Sequence, residues 1–315
     1  MKVSRMPKRK IAIIGLGKIS QDQHVPVIGA SDAFELAAIV STRGLGHGNV
    51  PVFKTPAELY RAMPEIGVVA VNTPPGMRHP IAHEALAAGK DVLLEKPPAT
   101  TLSELVDLET FAAAKKRVLF ATWHSIFNPA VDEARALIAK AGLRSLHIEW
   151  REDVKKWHPG QDWVWEPGGF GVFDPGINAL SILTHILPRV AFVKSAELTY
   201  PANRQTPIGV KLALSNATGT VLSADFDWRE KGDEKWHMMI ELADGRSARL
   251  FKGGAALSVD GKIVVEAPSE EYQRIYRRFS ALLDERRSDV DAAPLRIVAD
   301  AMLVGRRLST DAFNW

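Results

Sequence analysis

Residues 11–20 read IAIIGLGKIS, an apolar run that leads into the pattern Gly15-x-Gly17-x-x-Ser20. Gly15 permits a tight turn, and Gly17 lets backbone N–H groups approach a pyrophosphate. The small Ser20 lets a following helix pack against the strand, and the amino-terminal end of that helix attracts phosphate. The pattern therefore predicts a strand, turn and helix that bind a dinucleotide; a plain glycine turn is the alternative.

Short β-branched runs alternate with Ala- and Leu-rich helical segments up to about residue 125. The strand candidates are residues 10–14, 34–40, 67–71, 91–94 and 117–121. Strands that alternate with helices through short links form a parallel sheet with helices on both faces. We therefore expect residues 1–125 to form an α/β dinucleotide-binding domain of the doubly wound Rossmann type.

A different pattern follows, because apolar and polar residues alternate along 222–228 and again along 237–242. Such alternation predicts antiparallel strands with one buried face, and helical spacing returns after Tyr272. We expect residues 126–315 to form an α+β substrate-binding domain with an open, mostly antiparallel sheet. A C-terminal helix could pack back on the first domain, and the open sheet face suits a homodimer.

The composition excludes several classes of protein. The 315 residues are 46% hydrophobic and 24% charged, which excludes a disordered chain. No apolar run reaches the roughly 18 residues that span a bilayer. The net charge is only +3 and the basic residues are scattered, so neither nucleic acid nor a membrane is an expected partner. The chain has no cysteine, which excludes thiolate chemistry and suits the cytoplasm.

The second predicted strand ends at Val40 and is followed by Ser41, Thr42 and Arg43. NAD-binding folds usually place a carboxylate there to bind the ribose hydroxyls. Hydroxyl and guanidinium donors instead suit a 2′-phosphate, so we expect NADP to be accepted and preferred over NAD. The alternative is that Arg43 belongs to a solvated loop.

Residues 91–98 read DVLLEKPP and place an ionisable pair at the end of a buried strand. Lys96 could bind a substrate oxygen and help to remove its proton, although a surface Glu–Lys pair is the alternative. Prolines after the third strand mark the expected nicotinamide position. The cofactor-binding candidates are Gly15, Gly17, Lys18, Ile19, Ser41, Thr42, Arg43, Asn72, Thr73, Pro74, Glu95 and Lys96.

Residues 174–178 read DPGIN and open an apolar helix. Asp174 suits the N-cap and Pro175 the first helical position, which places Asp174 and Asn178 one turn apart. A structural cap with no catalytic role is the alternative. His79 and His83 have a spacing that can bind zinc, but the local pattern suggests no third ligand, so no metal is expected.

The glycine turn, the Glu95-Lys96-Pro97 segment and the Gly-rich stretch before Asp174 resemble those of the Gfo/Idh/MocA oxidoreductases. The resemblance implies that Lys96 and Asp174 are the catalytic residues. Those enzymes carry a histidine where this chain has Asn178. A neutral amide is no general base, so the resemblance does not supply the proton acceptor at this position.

Within that family, four segments resemble the bacterial NAD(P)-dependent L-arabinose/D-galactose 1-dehydrogenases. They read ATWHS at 121–125, WREDV at 150–154, WHPGQ at 157–161, and WEPGG at 165–169, which continues through DPGIN at 174–178. The resemblance implies that C1 of a cyclic aldose is oxidised to a lactone. The alternatives are another sugar or polyol, or a non-catalytic dinucleotide-binding regulator. The implied substrate-binding residues are His124, Glu152, Trp157, Asn178 and Trp236.

Overall fold

A computed structural model describes residues 7–315 and divides the chain into two compact units. The first contains the residues up to Thr122 together with Tyr272–Asp291. The second contains Trp123–Glu271 and Ala292–Trp315. The segment Tyr272–Asp291 therefore belongs to the first unit, although all of 126–315 was expected in the second domain.

The final helix, Ala293–Val304, belongs to the second unit. The helix that belongs to the first unit is the preceding one, nearly all of which lies within the segment Tyr272–Asp291. Residues 1–6 of the expected first domain lie outside the described residues.

The β-strands are Arg9–Ile14 (β1), Phe34–Val40 (β2), Val52–Phe53 (β3), Val68–Val71 (β4), Asp91–Leu94 (β5), Leu119–Ala121 (β6), Leu143–Arg151 (β7), Ala191–Pro201 (β8), Gly209–Asn216 (β9), Val221–Asp227 (β10), Lys235–Leu242 (β11), Ser247–Phe251 (β12), Ala256–Val259 (β13), Lys262–Glu266 (β14) and Arg306–Thr310 (β15). The α-helices are Val25–Ala30 (α1), Pro56–Ala62 (α2), Pro75–Ala87 (α3), Leu102–Ala114 (α4), Val131–Ala141 (α5), Val154–Trp157 (α6), Phe173–Ile186 (α7), Glu271–Glu285 (α8) and Ala293–Val304 (α9).

The first unit is built on a parallel sheet of six strands in the order β3-β2-β1-β4-β5-β6. This confirms the predicted doubly wound sheet. The strand order reverses between β1 and β4, and ligands of such sheets bind beyond the carboxyl ends of the strands at that position. The glycine turn and Asn72 follow these two strands directly.

Helix α8 completes the core of the first unit, although it lies far from β1 in sequence. The ring of Phe279 stacks on Phe34 and Phe120, with ring centroids 5.8 and 5.9 Å apart. Arg286 Nη1 lies 2.7 Å from Asp91 Oδ2 and so ties the segment after α8 to the start of β5. These contacts explain why 272–291 belongs to the first unit.

The second unit contains a nine-stranded sheet in the order β14-β13-β12-β11-β7-β10-β9-β8-β15. The β7–β10 and β15–β8 pairs are parallel and the other pairs are antiparallel, which confirms the predicted mostly antiparallel sheet. Leu222, Ala224 and Phe226 are buried on one face. Helix α7 covers that face, because a Cβ added at Gly176 would lie 2.7 Å from the Phe226 ring. The ends of β7 and β10 and the start of α7 therefore position the second set of candidate side chains.

Candidate functional site

The glycine turn of the first unit has the geometry that the sequence predicts. Gly15 has φ +95°, and a Cβ there would lie 3.0 Å from the backbone nitrogen of Thr73, so only glycine fits. Ser20 Oγ donates to the Gly15 carbonyl (2.7 Å) and accepts from Asn72 Nδ2 (3.0 Å). Apart from its chain neighbours, no heavy atom of residues 7–315 lies within 4 Å of a Cβ added at Gly17, which leaves room for a phosphate group.

The helix that follows the turn begins with a π-helical segment, Ser20–His24, which α1 continues. The Val25 amide donates to the Ser20 carbonyl, five residues back, which defines this wider turn. Lys18 and Ile19 are exposed just before it, and Lys18 forms an ion pair with Asp22. Such π-turns occur often at functional sites.

Two buried polar atoms at the end of β4 fit a bound dinucleotide. Asn72 Oδ1 and Thr73 Oγ1 have no hydrogen-bond partner among the described residues. Buried polar atoms are normally satisfied, so atoms of this kind beside a phosphate-binding turn suit donors from a ligand. Pro74 and the start of α3 end the strand at this point, as the sequence predicts.

The loop after β2 carries the predicted 2′-phosphate residues. Ser41 is buried and its Oγ accepts from the Leu45 amide (3.1 Å), whereas Thr42 and Arg43 are exposed. Lys54 Nζ donates to the Thr42 carbonyl (3.3 Å), because β3 pairs with β2 and brings the following residue to this loop. The sequence analysis missed Lys54, since β3 is too short to give a periodic signal.

Glu95 lies at the centre of a buried hydrogen-bond network in the first unit. Its side chain is only 3% exposed. Tyr272 OH donates to Oε1 (2.7 Å), and His24 Nε2 lies 3.1 Å from the same oxygen. The Lys96 amide donates to Oε2 (2.8 Å), while His24 Nδ1 lies 2.8 Å from Tyr276 OH. Glu95, expected to bind the cofactor, thus fixes the backbone of the lysine that follows it.

A buried arginine joins the two loops that carry the cofactor candidates. Arg78, on α3, donates from Nε to the Thr73 carbonyl (2.7 Å) and from Nη1 to the Glu95 carbonyl (2.8 Å). It also donates to the Pro97 carbonyl. The loop with Asn72 and Thr73 is therefore held against the loop with the half-buried Lys96. No sequence motif points to Arg78, because its partners are backbone carbonyls, which every residue has.

In the second unit, Glu152 directly follows β7 and is held between two indoles. Trp228 Nε1 donates to Oε1 (3.2 Å) and Trp236 Nε1 donates to Oε2 (3.0 Å). Burial raises the pKa of Glu152 to about 7, because the loss of water disfavours the charged form. The sequence analysis named Glu152 and Trp236 but missed Trp228, which lies just beyond β10.

Asp174 is not an N-cap, which corrects the sequence analysis. Helix α7 begins at Phe173 with Val172 as its N-cap, so Asp174 and Pro175 are its second and third residues. The Asp174 carboxylate instead lies beside an imidazole, with Oδ2 3.2 Å from His158 Nε2. The N-cap position is one residue outside the helix at Val172, which has no capping side-chain hydrogen bond. Asn178 lies one turn further along α7 and is half-buried.

The remaining sugar-binding candidates are polar-tipped side chains of the second unit. The Trp157 ring lies 5.7 Å from the Trp236 ring, and its Nε1 donates to Glu234 Oε1 (2.6 Å). His124 Nδ1 lies 3.2 Å from Glu271 Oε1. Within this unit, the structure thus brings Trp157, Trp236 and Glu152 together and gives His124 an acidic neighbour.

The histidine pair at 79 and 83 has other partners. His79 Nε2 lies 2.8 Å from Asp107 Oδ2, and the His83 ring stacks on Phe111 at 3.9 Å. Within residues 7–315, no group of three or more His, Cys, Asp or Glu side chains has the arrangement of a metal site.

A family model described as "Oxidoreductase family, NAD-binding Rossmann fold" matches residues 9–122. Galactose 1-dehydrogenase of Pseudomonas fluorescens is 44% identical over 307 residues, which covers 96% of this chain and 98% of the relative. The chain belongs to the Gfo/Idh/MocA oxidoreductase family. The resemblance found in the sequence is thereby confirmed, and the chain is an enzyme with an NAD-binding Rossmann domain.

Solved structures agree with this family. D-galactose-1-dehydrogenase from Rhizobium etli has 46% identity and a TM-score of 0.94, and the match covers 98% of this chain and 99% of that one. The 3-ketoreductase KijD10 from Actinomadura kijaniata, solved with NADP and TDP-benzene, has a TM-score of 0.83 over 96% and 100% of the two chains. Its identity is only 18%, so this second likeness shows the fold alone.

The raised pKa of Glu152 predicts a pH-dependent stability. Above its ordinary pKa of 4.5, the unfolded chain releases a proton that the folded protein keeps up to about pH 7. Folding stability should therefore fall as pH rises from about 4.5 to 7, by on the order of 1–3 kcal/mol. The variant Glu152→Gln has no such ionisation, so its melting temperature should rise relative to wild type from pH 5 to pH 8. A constant difference between the two proteins across this range would contradict the assignment.

Proposed function

We propose that this enzyme is an NAD(P)-dependent aldose 1-dehydrogenase that oxidises C1 of D-galactose, and of L-arabinose, to the lactone. The proposal is carried by the similarity to galactose 1-dehydrogenase, which extends over both units rather than the cofactor unit alone. The cofactor unit is common to a whole family, so its presence does not select a substrate. The side chains of the second unit have to make that selection.

The second unit offers the chemistry that a pyranose requires. A sugar ring presents hydroxyls at its edge and a patch of C–H groups on its face, which suit polar side chains and aromatic rings respectively. We assign the hydroxyls to His124, Glu152 and Asn178, and the C–H face to Trp157 and Trp236. The indole bonds to Glu152 hold its carboxyl in one orientation, and the oxygens retain lone pairs for hydroxyl donors.

Lys96 and Asp174 are the proposed catalytic residues, and both would bind O1 of the sugar. When bound, the nicotinamide dinucleotide accepts the hydride from C1. As the C1–O1 bond becomes a carbonyl, the O1 proton has to leave, and Asp174 and Lys96 share its removal. The Glu95 and Arg78 bonds fix the backbone around Lys96, which keeps its amine in position during this step.

D-Galactose and L-arabinose have matching configurations from C1 to C4 and differ by a CH2OH group at C5. A pocket that binds the hydroxyls of C1 to C4 and leaves space next to C5 accepts both sugars. Even in a closed hydrophobic pocket, one methylene more or less changes specificity by only about 10–200-fold, and an open space next to C5 discriminates less. The two rival functions are oxidation of another sugar or polyol and a regulatory role without turnover.

A steady-state assay of NADPH formation with a panel of aldoses tests the proposed function. We expect D-galactose and L-arabinose to be oxidised with the highest kcat/KM, with the lactone as product. Lys96→Met and Asp174→Asn should each lower kcat by about 10²–10⁴-fold, because each removes a proton-transfer group. Turnover of a different sugar would favour the first rival, and dinucleotide binding without turnover of any sugar would favour the second.

We also propose that NADP is preferred over NAD. Arg43 and Lys54 place two cations at the loop after β2, and Ser41 adds a hydroxyl. This set of donors suits a 2′-phosphate, and the loop 41–43 contains no carboxylate to repel it.

Arg43→Ala should raise KM for NADP by about 10-fold or more and leave KM for NAD within about 2-fold, since only NADP carries the 2′-phosphate. The two KM values, measured with saturating sugar, check this. Arg61→Ala, on the exposed end of α2, is the control and should change neither value. Equal losses for both cofactors would contradict the role of Arg43.

We propose a homodimer through the open face of the second unit's sheet. This face lies opposite α7 and is formed by half-buried side chains of the central strands, among them Glu149, Asp225 and Met239. Sedimentation equilibrium should give about twice the chain mass of 34.6 kDa. Met239→Glu should shift the mass towards the monomer, because it adds a like charge to both copies of the face. A wild-type protein that sediments as a monomer would exclude this assembly.

No helix within residues 7–315 is both long and apolar enough to cross a membrane. We place the enzyme in the cytoplasm because the chain contains no cysteine, as is common where disulfides do not form.

A further inference from the structure

The imidazole of His158 lies between two side chains that come from different parts of the second unit. Its Nε2 is 3.2 Å from Asp174 Oδ2, and its Nδ1 is 3.4 Å from Gln161 Oε1. Its ring lies edge-on to the Trp163 ring and at a tilt to the Trp228 ring, with centroids 6.0 and 5.4 Å away. The histidine is therefore held at both nitrogens and packed against two indoles.

The hydrogen-bond partners define which nitrogen carries the proton. Trp163 Nε1 lies 3.1 Å from Gln161 Oε1, and an indole N–H can only donate. The Gln161 group that faces Trp163 must therefore be its oxygen, which is an acceptor. His158 Nδ1 faces the same oxygen and so must carry a proton that it donates.

The position of this proton affects the contact between His158 Nε2 and the Asp174 carboxylate. With the proton on Nδ1, neutral His158 presents a lone pair at Nε2, and an ionised Asp174 also presents a lone pair. Two acceptors 3.2 Å apart repel each other unless one proton lies between them. The arrangement Trp163–Gln161–His158–Asp174 therefore favours a pair that holds one shared proton in its resting form.

We propose that His158 is the proton-relay partner of Asp174. This inference rests on the proposed function. Asn178 lies one turn after Asp174 on α7, and its neutral amide cannot accept a proton. The loop after α6 instead brings the imidazole of His158 to the Asp174 carboxylate.

The proton balance of the step is complete. The pair first loses its shared proton, which leaves an Asp174 carboxylate beside a neutral imidazole. As the hydride leaves C1, the O1–H bond breaks, the C1=O1 bond forms and the pair regains one proton. The pair then releases this proton to water. The His158 side chain is 17% exposed against 7% for Asp174, so the imidazole side of the pair is the more accessible to solvent.

Two carboxyl groups interact with the His158 imidazole, and both contribute to the pH dependence of kcat. Asp174 faces it from α7, and Glu152 acts on it from the end of β7 through space. The other elements packed against the ring present indoles and an amide. Because the pair is a base only after it has lost its shared proton, the rate should rise with pH through one ionisation.

The experiment compares the pH dependence of kcat, with NADP+ and D-galactose, for the wild type and two histidine variants. His158→Gln keeps a donor for Asp174 but cannot accept the proton. It should lower kcat at pH 7 by about 10²–10³-fold and abolish the rise of kcat with pH. His185→Gln is the matched control, because His185 Nε2 also pairs with an aspartate, Asp132 (3.0 Å), on the outside of α7. The control should keep the wild-type profile.

A second measurement needs no turnover and separates this inference from the proposed function. The ¹⁵N chemical shifts of His158 in the wild-type protein should show a protonated Nδ1 and a proton shared at Nε2. Asp174→Asn should shift the Nε2 resonance.

An unprotonated Nδ1 would overturn the inference, even if D-galactose is oxidised. So would a His158→Gln enzyme that has a raised KM for D-galactose and an unchanged kcat and pH profile. If no aldose is oxidised, the proposed function fails, and the shifts still decide whether the shared proton exists.

Discussion

A carboxylate that leaves water needs hydrogen-bond donors, and both candidate regions of this chain are built around that requirement. Glu95 in the first unit is surrounded by a tyrosine, a histidine and a backbone amide. Glu152 in the second unit is held by two indoles. Hydrogen bonds to charged groups contribute about 1.5–3 kcal/mol each, and an unpaired buried acceptor costs a similar amount. The donors therefore cannot be exchanged freely, and they fix the loops that carry the reactive groups.

The same requirement for hydrogen-bond donors explains why the two units have different roles. In the first unit, Glu95 and Arg78 hold loops whose remaining polar atoms suit a dinucleotide. This arrangement serves any substrate that gives up a hydride. In the second unit, Trp236 is one of the two indoles that hold Glu152, and its half-buried ring also provides aromatic surface, which suits the face of a sugar. A solved structure with 18% identity shares this fold, so the fold by itself does not select a substrate.

Much of the fold could be predicted from the sequence, because it follows from local rules. The turn at Gly15 requires a positive φ, the parallel strands are mostly apolar, and the second sheet alternates with period two. The candidate residues of the site were harder to find when their partners are distant. Tyr272 reaches Glu95 across 177 positions and Trp228 reaches Glu152 across 76, and no periodic pattern connects such pairs. The predicted cap at Asp174 was wrong because α7 begins at Phe173, one residue before it.

The central proposal is that Lys96 and Asp174 both act on O1 of the sugar. A crystal structure of the enzyme with NADPH and D-galactose tests it most directly, because the reduced cofactor cannot accept the hydride and the complex does not react. The account predicts that O1 lies within hydrogen-bond distance of both the Lys96 amine and the Asp174 carboxylate, with C1 facing the nicotinamide C4. A sugar bound with O1 away from either side chain, or with another carbon at the nicotinamide, would contradict it.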